Sequence, residues 1–357
     1  MTHLLRMALL PLSWLYGTGV FLRNKQFDLG IRKSVSFEIP IIAIGNLSAG
    51  GTGKTPQAAY LLKLLKDSYK TGLLSRGYRR RTRGYVAVDA SMNAGETGDE
   101  PMQLKRKFPE VSVSVCESRV IGIVTMIAEN PDLEIIVLDD AFQHRQVKPG
   151  LSLLITDYSH PYSSDSLLPS GRLREQVDGA KRASAVIVSK CPLTLTGEQR
   201  FNLKSALTTN EQQPVFFSFL KYGVPYEIFN AGKKLLFEKG DHVMLFCGIA
   251  NPDPLADYLG QTAEHVELVK FADHHRYTLN DLKKIQSRFI SLNAFRKILI
   301  TTEKDAVRLI EFREYILSQQ LEIYCMPVET DFFGDDKARF DGFIDAFIRS
   351  FNPETVT

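Results

Sequence analysis

The chain has 357 residues, more than one hydrophobic core usually fills, so two domains are expected. Hydrophobic residues make up 44% and charged residues 24% of the chain, proportions that exclude a disordered, collagen-like or coiled-coil protein overall. The 44 basic residues barely exceed the 41 acidic ones, and a net charge of +3 is too small to indicate binding of nucleic acid.

The first predicted element is an uncharged apolar segment, 7–22, with an arginine on each side. It is shorter than the roughly 20 apolar residues that a membrane-spanning helix needs, and Pro11 and two glycines interrupt it. A signal peptide is one alternative, but export would make the nucleotide-binding domain that follows useless. A helix packed on the protein's own core is another. We favour a helix in the membrane interface, because its aromatic side chains suit headgroup depth: Trp14, Tyr16 and Phe21.

From residue 40 to residue 190, apolar runs alternate with helical patterns. Residues 40–47 predict a buried strand, and 55–67 predict a helix because apolar residues recur three and four positions apart. Further strands are predicted at 71–77, 111–116, 134–140, 151–157 and 184–190. Continuous apolar strands separated by helices are typical of a parallel sheet covered on both faces, so we expect a doubly wound α/β domain.

The pattern changes at 214–237, where aromatic and β-branched runs split by Gly223 and Pro225 predict a hairpin. Beyond it, strands again alternate with helices, at 242–249, 264–271, 297–302 and 321–328. We therefore predict two α/β domains joined by a hairpin. The predicted boundaries are an N-terminal helix at 1–25, a core domain at 26–213, a linker at 214–240 and a smaller domain at 241–357.

The cysteines are widely spaced and form no CxxC pair: Cys116, Cys191, Cys247 and Cys325. Three of them follow or lie within apolar runs, which predicts buried strand residues in a reducing compartment rather than disulfides or zinc ligands. Arginines, by contrast, crowd residues 76–83. A solvated loop and a site for phosphate or anionic lipid headgroups are both open interpretations of that stretch.

The strongest motif is GNLSAGGTGKT at 45–55, which joins the first strand to the first helix of the core domain. Its glycines let backbone N–H groups turn toward phosphate oxygens at a helix N-terminus. Lys54 can reach the β- and γ-phosphates, and the Thr55 hydroxyl can join a Mg²⁺ shell. The strict pattern has glycine where this chain has Ser48, and Ala49 replaces the second lysine of partitioning ATPases. The predicted nucleotide-binding residues are Asn46, Ser48, Ala49, Gly50, Gly51, Thr52, Gly53, Lys54 and Thr55.

An apolar strand ends on Asp139 and Asp140, where a Mg²⁺-binding acid belongs beside a phosphate-binding loop. A helix N-cap explains one of these aspartates but explains both poorly. The next polar residues, Gln143, His144 and Arg145, either face the same crevice or cap a following helix, and their spacing does not separate the two.

Two further polar groups lie in loops. Asp99, in GDEP, is most simply a helix N-cap with Pro101 in the first turn. His274 and His275, in FADHH, are poor candidates for metal ligands because adjacent residues rarely point at one ion. A carboxylate–imidazole pair between the two domains is the alternative.

The motifs together resemble the tetraacyldisaccharide 4′-kinase family of lipid A biosynthesis, and the resemblance extends from the apolar N-terminus to about residue 330. They occur in the family's order: GNLSAGGTGKTP, SRGYRRR, GDEP, VLDDAFQHR, LLPSGRLRE, GIANP, FADHH and TEKDAVR. The resemblance implies two P-loop-type α/β domains joined by a β-hairpin hinge. It also implies transfer of the ATP γ-phosphoryl group to the 4′-hydroxyl of an acylated glucosamine disaccharide 1-phosphate, giving lipid IVA. The implied cofactors are ATP and Mg²⁺.

Residue roles follow from the same resemblance. It implies a catalytic pair, Asp99 as base and His274 orienting it, with Lys54 on the phosphates and with Thr55, Asp139 and Asp140 at the metal. Residues implied to line the acceptor cleft, besides Asp99, are Ser75, Arg76, Tyr78, Arg119, Gln143, His144 and Arg145. Arg172, Arg174 and Glu175 match a motif of loosely assigned role, and Arg172 and Gln176 stand where the family usually has proline.

The implied partners are the lipid acceptor and a membrane surface, with no protein partner, and the implied location is the cytoplasmic face of a Gram-negative inner membrane, peripheral or monotopic. Two other hypotheses are a switch or partitioning ATPase that binds a protein, and a membrane-tethered binding protein with a decayed nucleotide site. Ala49 weakens the first, and intact Lys54 and Thr55 weaken the second. GIANP, at 248–252, is a candidate for contacting adenine.

Overall fold

The structure, a computed structural model, describes residues 3–207 and 212–352. In this part of the chain the strands form a nine-stranded and a six-stranded sheet, with helices between the strands. The α helices are α1 (His3–Ala8), α2 (Leu10–Asp28), α3 (Lys54–Leu65), α4 (Ala94–Thr97), α5 (Asp99–Lys107), α6 (Arg119–Glu129), α7 (Gly197–Leu207), α8 (Asp253–Gly260), α9 (Leu279–Ser291), α10 (Glu303–Leu309), α11 (Arg313–Ser318) and α12 (Asp336–Ser350).

The larger sheet contains β1 (Ile41–Gly45), β2 (Thr71–Ser75), β3 (Val86–Ala87), β4 (Ser112–Val115), β5 (Ile135–Leu138), β6 (Leu151–Asp157), β7 (Ala185–Ser189), β8 (Val215–Tyr222) and β15 (Val328–Phe332). Their order in space is β15–β8–β7–β6–β1–β5–β2–β4–β3. All neighbours from β4 to β8 run parallel, and the two outer strands are antiparallel. The strands predicted in the first half of the chain are thereby confirmed.

Successive residues of the central strand explain why this sheet is covered on both faces. Ile42 and Ile44 of β1 pack with Leu61 of α3 on one face. Ile41 and Ala43 pack on the opposite face, in the cluster that includes Met126 of α6. A strand that is buried on both sides needs a continuous apolar run rather than alternation, and that is the pattern of β1. The predicted doubly wound α/β architecture is confirmed.

The smaller sheet contains β9 (Tyr226–Glu227), β10 (Asn230–Lys234), β11 (Asp241–Cys247), β12 (His265–Lys270), β13 (Arg296–Thr302) and β14 (Ile323–Met326). Their order is β10–β9–β14–β13–β11–β12. The four strands from β14 to β12 are parallel. β9 and β10 form an antiparallel hairpin at the edge.

The chain passes between the two sheets twice, at neighbouring points. It leaves the larger sheet after β8 and returns to it as β15, and the Gly223 N–H donates to the Pro327 carbonyl at 3.0 Å where the passages meet. β15 pairs with β8, and α12 buries Phe340 and Ile344 in the core of the larger sheet. The sheets therefore divide the chain differently from the predicted segments. The last segment, 241–357, is not one unit, and the 214–240 segment is shared between both sheets.

The N-terminal helix α2 faces the protein with its small and polar residues. Ser13 donates to the Leu167 carbonyl at 3.1 Å, and the Tyr16 hydroxyl donates to the Arg174 carbonyl at 2.7 Å. Its large apolar side chains point away instead, with Trp14 72% exposed and Leu15 62% exposed. In the described residues, no helix combines the length and apolar character that a membrane crossing requires.

The cysteines lie where their apolar neighbours predict. All of them are buried and free of disulfides, and Cys247 and Cys325 are strand residues. Burial raises the pKa of Cys191 and of Cys247 to about 12.

Candidate active site

The loop between β1 and α3 has the geometry of a phosphate-binding loop. Gly53 precedes α3 with φ of 86°, a left-handed conformation that glycine adopts without steric cost. Gly50 and Gly51 are exposed at the top of the loop, and the first turn of α3 carries Lys54 and Thr55. The free N–H groups of a helix start and the helix dipole both favour an anion at this point.

Hydrogen bonds within the loop and from two neighbouring segments fix its conformation. The buried Asn46 amide donates to the Ser48 carbonyl at 2.6 Å and to the Thr52 hydroxyl at 2.7 Å. The Ala49 N–H donates to the Arg172 carbonyl at 2.6 Å. Since a backbone carbonyl makes this contact, arginine serves here as well as the family's usual proline. Ser48 has no left-handed backbone angle, which explains why this position does not require glycine.

Two residues at the end of β7 brace the other side of the loop, and the sequence analysis did not single them out. The Ser189 hydroxyl donates to the Thr52 carbonyl at 2.6 Å. The Lys190 ammonium donates to the Gly51 carbonyl and pairs with Asp157 at 2.9 Å. The strand ends of a parallel sheet meet at one edge, which is why residues so distant in sequence converge on this loop.

The acidic turn after β5 lies beside the loop lysine. The Lys54 Nζ is 3.5 Å from Asp140 Oδ1, and Arg174 reaches the same oxygen at 2.9 Å. Asp139 is buried beneath this turn, where it accepts a hydrogen bond from the Ser75 hydroxyl at 3.3 Å. The Asp140 backbone has φ of 46°, an uncommon conformation for a residue other than glycine, and one that often marks functional turns.

The two aspartates titrate in opposite directions. Burial, together with the neighbouring Asp140 charge, raises the pKa of Asp139 to about 6. Asp140 is also desolvated, but the charges of Lys54 and Arg174 outweigh this and lower its pKa. A positive charge placed beside Asp139 would therefore relieve an unfavourable ionisation.

These residues fit a magnesium ion. Asp139 Oδ1 is buried and has no hydrogen-bond partner in the structure, as expected of an oxygen that a cation would use. Among the described residues, no group of three or more His, Cys, Asp or Glu could hold a metal ion by itself. Thr55 and the Asp139–Asp140 pair are the protein groups that would hold a Mg²⁺ ion, together with phosphate and water.

We expect Asp139→Asn to stabilise the nucleotide-free and metal-free protein at pH 8, by on the order of 1–2 kcal/mol. The folded pKa of Asp139 is above its usual value, so ionisation costs stability as pH rises through about 6, and asparagine removes that cost. Asp140→Asn is the matched control and should destabilise, because Asp140 is paired with two cations. Urea unfolding in EDTA at pH 5 and pH 8 would measure both. A destabilising Asp139→Asn at pH 8 would contradict the expectation.

The Asp99–His274 pair connects α5, beside the larger sheet, with the loop that follows β12 of the smaller sheet. Asp99 is the first residue of α5, yet its side chain caps nothing, so the N-cap interpretation is wrong. Asp99 Oδ2 lies 2.9 Å from His274 Nδ1 and 2.6 Å from Arg308 Nη2. Gly98 precedes it with φ of 95°, and a Cβ there would lie 3.1 Å from Gly77 Cα, so glycine lets the 76–83 loop approach Asp99.

A cavity of about 120 Å³ opens onto this pair. It is lined by Tyr78, Arg79, Arg81, Asp99, His274 and Arg276, among others. The Tyr78 ring meets the His274 ring edge-on at 5.7 Å. Glu100, next to Asp99, is close enough to the acidic turn for its charge to raise the pKa of Asp139. The arginine-rich stretch thus lies at the Asp99–His274 pair, and Glu100 brings the acidic turn within electrostatic range of that pair.

The remaining predicted cleft residues separate into different positions. The Arg119 guanidinium is buried and donates to the Asp139 carbonyl at 2.8 Å, so it supports the acidic turn from below, and burial lowers its pKa to about 10. Gln143 donates to the Asn46 carbonyl at 2.8 Å. Arg145 lies outside this group, since it pairs with Asp28 of α2 at 2.7 Å. No helix follows this segment, so the alternative of a helix cap is wrong.

The remaining polar residues near the acidic turn differ in charge and in burial. Burial and the charges of Arg119 and Arg76 lower the pKa of His144 to about 4, so its imidazole is neutral at neutral pH. Arg76 itself is exposed at the end of β2. The buried Glu175 accepts a hydrogen bond from Gln143 at 2.9 Å, which connects the LLPSGRLRE segment to the same turn.

The residues of TEKDAVR had no predicted role, and in the structure they lie beside the Asp99–His274 pair. Lys304 Nζ is 3.1 Å from His274 Nε2 and 3.0 Å from Glu100. Gly248, in GIANP, donates its N–H to the Asp305 carboxylate at 3.1 Å. The only available signal was the order of charged residues after β13, where the N-cap Thr302 starts α10.

A phosphate-binding loop with a paired lysine and acidic turn can bind a nucleotide, and a carboxylate–imidazole pair such as Asp99–His274 can take a proton from a hydroxyl group. The class that this fold and site define is a P-loop kinase with an alcohol acceptor. The chain belongs to the LpxK family, tetraacyldisaccharide-1-P 4′-kinase, whose pattern it matches over residues 5–349.

Relatives of known name support this membership. The chain is 42% identical over 348 residues to a tetraacyldisaccharide 4′-kinase of Phocaeicola vulgatus, covering 96% of this chain and 94% of the relative. It is 41% identical over 349 residues to one of Flavobacterium johnsoniae, covering 97% and 98%. The crystal structure of LpxK from Aquifex aeolicus in complex with ATP superposes with a TM-score of 0.73 at 27% identity, covering 96% of this chain and 99% of that one.

Proposed function

We propose that this protein transfers the γ-phosphoryl group of ATP to the 4′-hydroxyl of tetraacyldisaccharide 1-phosphate, which yields lipid IVA. The observation that carries the proposal is that the Asp99–His274 pair lies near the acidic turn beside Lys54, since the charge of Glu100, next to Asp99, raises the pKa of Asp139. This arrangement offers a nucleotide site and an acceptor base together. Family membership supplies the acceptor's identity.

The roles of the residues follow from where they lie. The loop N–H groups and Lys54 bind and orient the phosphates, and Thr55 with the acidic pair holds Mg²⁺, which neutralises phosphate charge when bound. Asp99 takes the proton of the acceptor hydroxyl as it attacks the γ-phosphorus, and His274 orients the carboxylate. Positioning and charge neutralisation provide most of the acceleration, because phosphoryl transfer has a loose transition state.

Incubation of the purified protein with γ-labelled ATP, Mg²⁺ and tetraacyldisaccharide 1-phosphate in detergent tests the proposal. We expect the label in the lipid at the 4′ position. ATP hydrolysis without labelled lipid would contradict it and would favour a switch ATPase instead. An acceptor lacking the 4′-hydroxyl is the matched control and should take up no label.

We further infer that α2 docks the protein on a membrane surface at the cytoplasmic face, where a lipid acceptor is met. The support is that the polarity of α2 is the reverse of that expected for a helix packed on a protein core. Small and polar residues such as Ser13 and Gly17 face the protein, while Leu12, Trp14 and Leu15 are exposed. An exposed apolar strip of this kind, flanked by basic residues, suits the boundary between headgroups and acyl chains.

Replacing Leu12, Trp14 and Leu15 together with serine is expected to raise the KM for the lipid in mixed micelles by about 10-fold or more, because each buried apolar side chain contributes roughly 1.5–3 kcal/mol. The kcat at saturating lipid should stay close to that of the wild type. Phe295→Ser, at a fully exposed position just before β13, is the control and should leave KM unchanged. An unchanged KM in the triple variant would exclude this role for α2.

A further inference from the structure

Arg308 of α10 is a buried arginine with a carboxylate on each side. It is 6% exposed. Its Nη2 donates to Asp99 Oδ2 at 2.6 Å, and its Nη1 donates to Asp305 Oδ1 at 2.8 Å. Nη1 also donates to the Gly248 carbonyl at 3.2 Å. The guanidinium therefore spans from the smaller sheet's own loops to the base on the larger one.

The side of Arg308 that belongs to the smaller sheet is rigidly built. Asp305 is fully buried and accepts hydrogen bonds from the Thr302 hydroxyl at 2.6 Å and the Tyr277 hydroxyl at 3.1 Å, besides Gly248 N–H. Both contacts on this side are made by Nη1, which leaves Nη2 of the planar guanidinium to reach Asp99.

The Asp99 carboxylate is held at one oxygen. Both hydrogen bonds that the structure shows on it end on Oδ2, one from Arg308 and one from His274. That leaves Oδ1 as the oxygen available to an acceptor hydroxyl in the adjoining cavity. Lys304, which touches His274 Nε2, belongs to the same helix as Arg308.

We propose that Arg308 is a positioning residue for Asp99, which fixes Oδ2 and so leaves Oδ1 to face the acceptor hydroxyl. This inference rests on the proposed function, since it gives Asp99 the part of the base. It assigns the TEKDAVR segment a task that neither the loop nor the acidic turn performs. Arg308 itself does not touch the substrate.

The electrostatics of the cleft agree with this geometry. Burial alone would raise the pKa of Asp99, but hydrogen bonds from His274 and Arg308, with the charges of Arg308 and Lys304, hold it well below its usual range. The ionisable groups that face Asp99 or its partners are Tyr78, Arg79, Arg81, Glu100, Asp273, His274, Arg276, Tyr277, Lys304, Asp305, Arg308 and Glu311. Removing the Arg308 charge leaves desolvation opposed by fewer cations, so the pKa of Asp99 should rise.

The test compares Arg308→Gln, which removes the charge, with Arg308→Lys, which keeps it. We expect Arg308→Gln to lower kcat by about 10- to 100-fold, as for a misplaced catalytic group, with little change in KM for ATP. The pKa of the Asp99 carboxyl should also rise in Arg308→Gln, and the ¹³C NMR signal of that carboxyl, followed as a function of pH, measures the rise. Arg308→Lys should keep the Asp99 titration near that of the wild type.

Two controls separate positioning from folding. Tyr277→Phe removes a hydrogen bond from Asp305 without touching Asp99, and it should leave the titration of the Asp99 carboxyl unchanged. In the Asp99→Asn background, Arg308→Gln should cost less than about 3-fold more, because residues that act as one unit are not additive. Thermal unfolding and ATP binding of each variant verify the fold.

An unchanged Asp99 titration in folded Arg308→Gln, or full additivity with Asp99→Asn, would overturn the inference. Failure of the wild-type protein to phosphorylate the lipid would instead overturn the proposed function, and with it this role of Arg308. The two failures are therefore distinguishable in one set of assays.

Discussion

Replacing Lys54 with alanine is expected to lower kcat/KM by about 10³-fold or more, the largest effect of any single change in this protein. Lys54 is the first residue of α3, directly after the exposed glycines of the loop, and its side chain is only 14% exposed. A cation in this partly desolvated position neutralises charge on the transferred phosphoryl group where water would screen it less.

Steady-state turnover of Lys54→Ala and Lys63→Ala measures this effect. Lys63 is the matched control because it lies on the same helix but is 60% exposed and pairs with Glu329, away from the loop. Its loss should change kcat/KM by less than about 2-fold, since exposed ion pairs contribute little. The fold should survive Lys54→Ala, because Arg174 still pairs with Asp140. A nearly active, folded Lys54→Ala would contradict the assignment of the loop.

The sequence was sufficient to predict those parts of the fold that are built from contiguous residues. The apolar run of β1, the glycines and the helical spacing of α3 are contiguous, so the phosphate-binding loop could be predicted with its boundaries. The return of the chain to the larger sheet could not. β15 pairs with β8 across about one hundred residues, and antiparallel edge pairing at that distance leaves no periodic signal in the sequence.

The candidate site likewise contains residues that the local sequence places and residues that it does not. Asp139 and Asp140 follow a strand whose end lies beside the loop, so topology alone brings them to Lys54. The local sequence of Asp99, GDEP, suits an N-cap, and only the family resemblance implied a catalytic pair with His274. Its partners His274 and Arg308 lie 175 and 209 residues away, and the packing of α10 on α5 places Arg308 beside it. Arg145 was misleading for the converse reason, since its neighbours in sequence face the cleft and it does not.

Asp99→Asn is expected to lower kcat by about 10²–10⁴-fold, the range that general base catalysis contributes, with a smaller change in KM for ATP. Asparagine keeps the size and one hydrogen-bond acceptor, so His274 and Arg308 can stay in place while the proton acceptor is lost. Measurement of kcat and of both KM values under saturating Mg²⁺ would show the split.

The comparison between the two variants bears on the mechanism itself. If charge neutralisation dominates a loose transition state, Lys54→Ala must be at least as damaging as Asp99→Ala, because a hydroxyl can lose its proton late in such a reaction. His274→Ala should lower the activity less than either of these variants. It removes one of the two donors to Asp99 Oδ2, and Arg308 remains. The reverse order, with Asp99→Ala much worse than Lys54→Ala, would indicate a tight transition state in which the acceptor proton leaves early. Arg308 would then influence the rate through the very step that limits it.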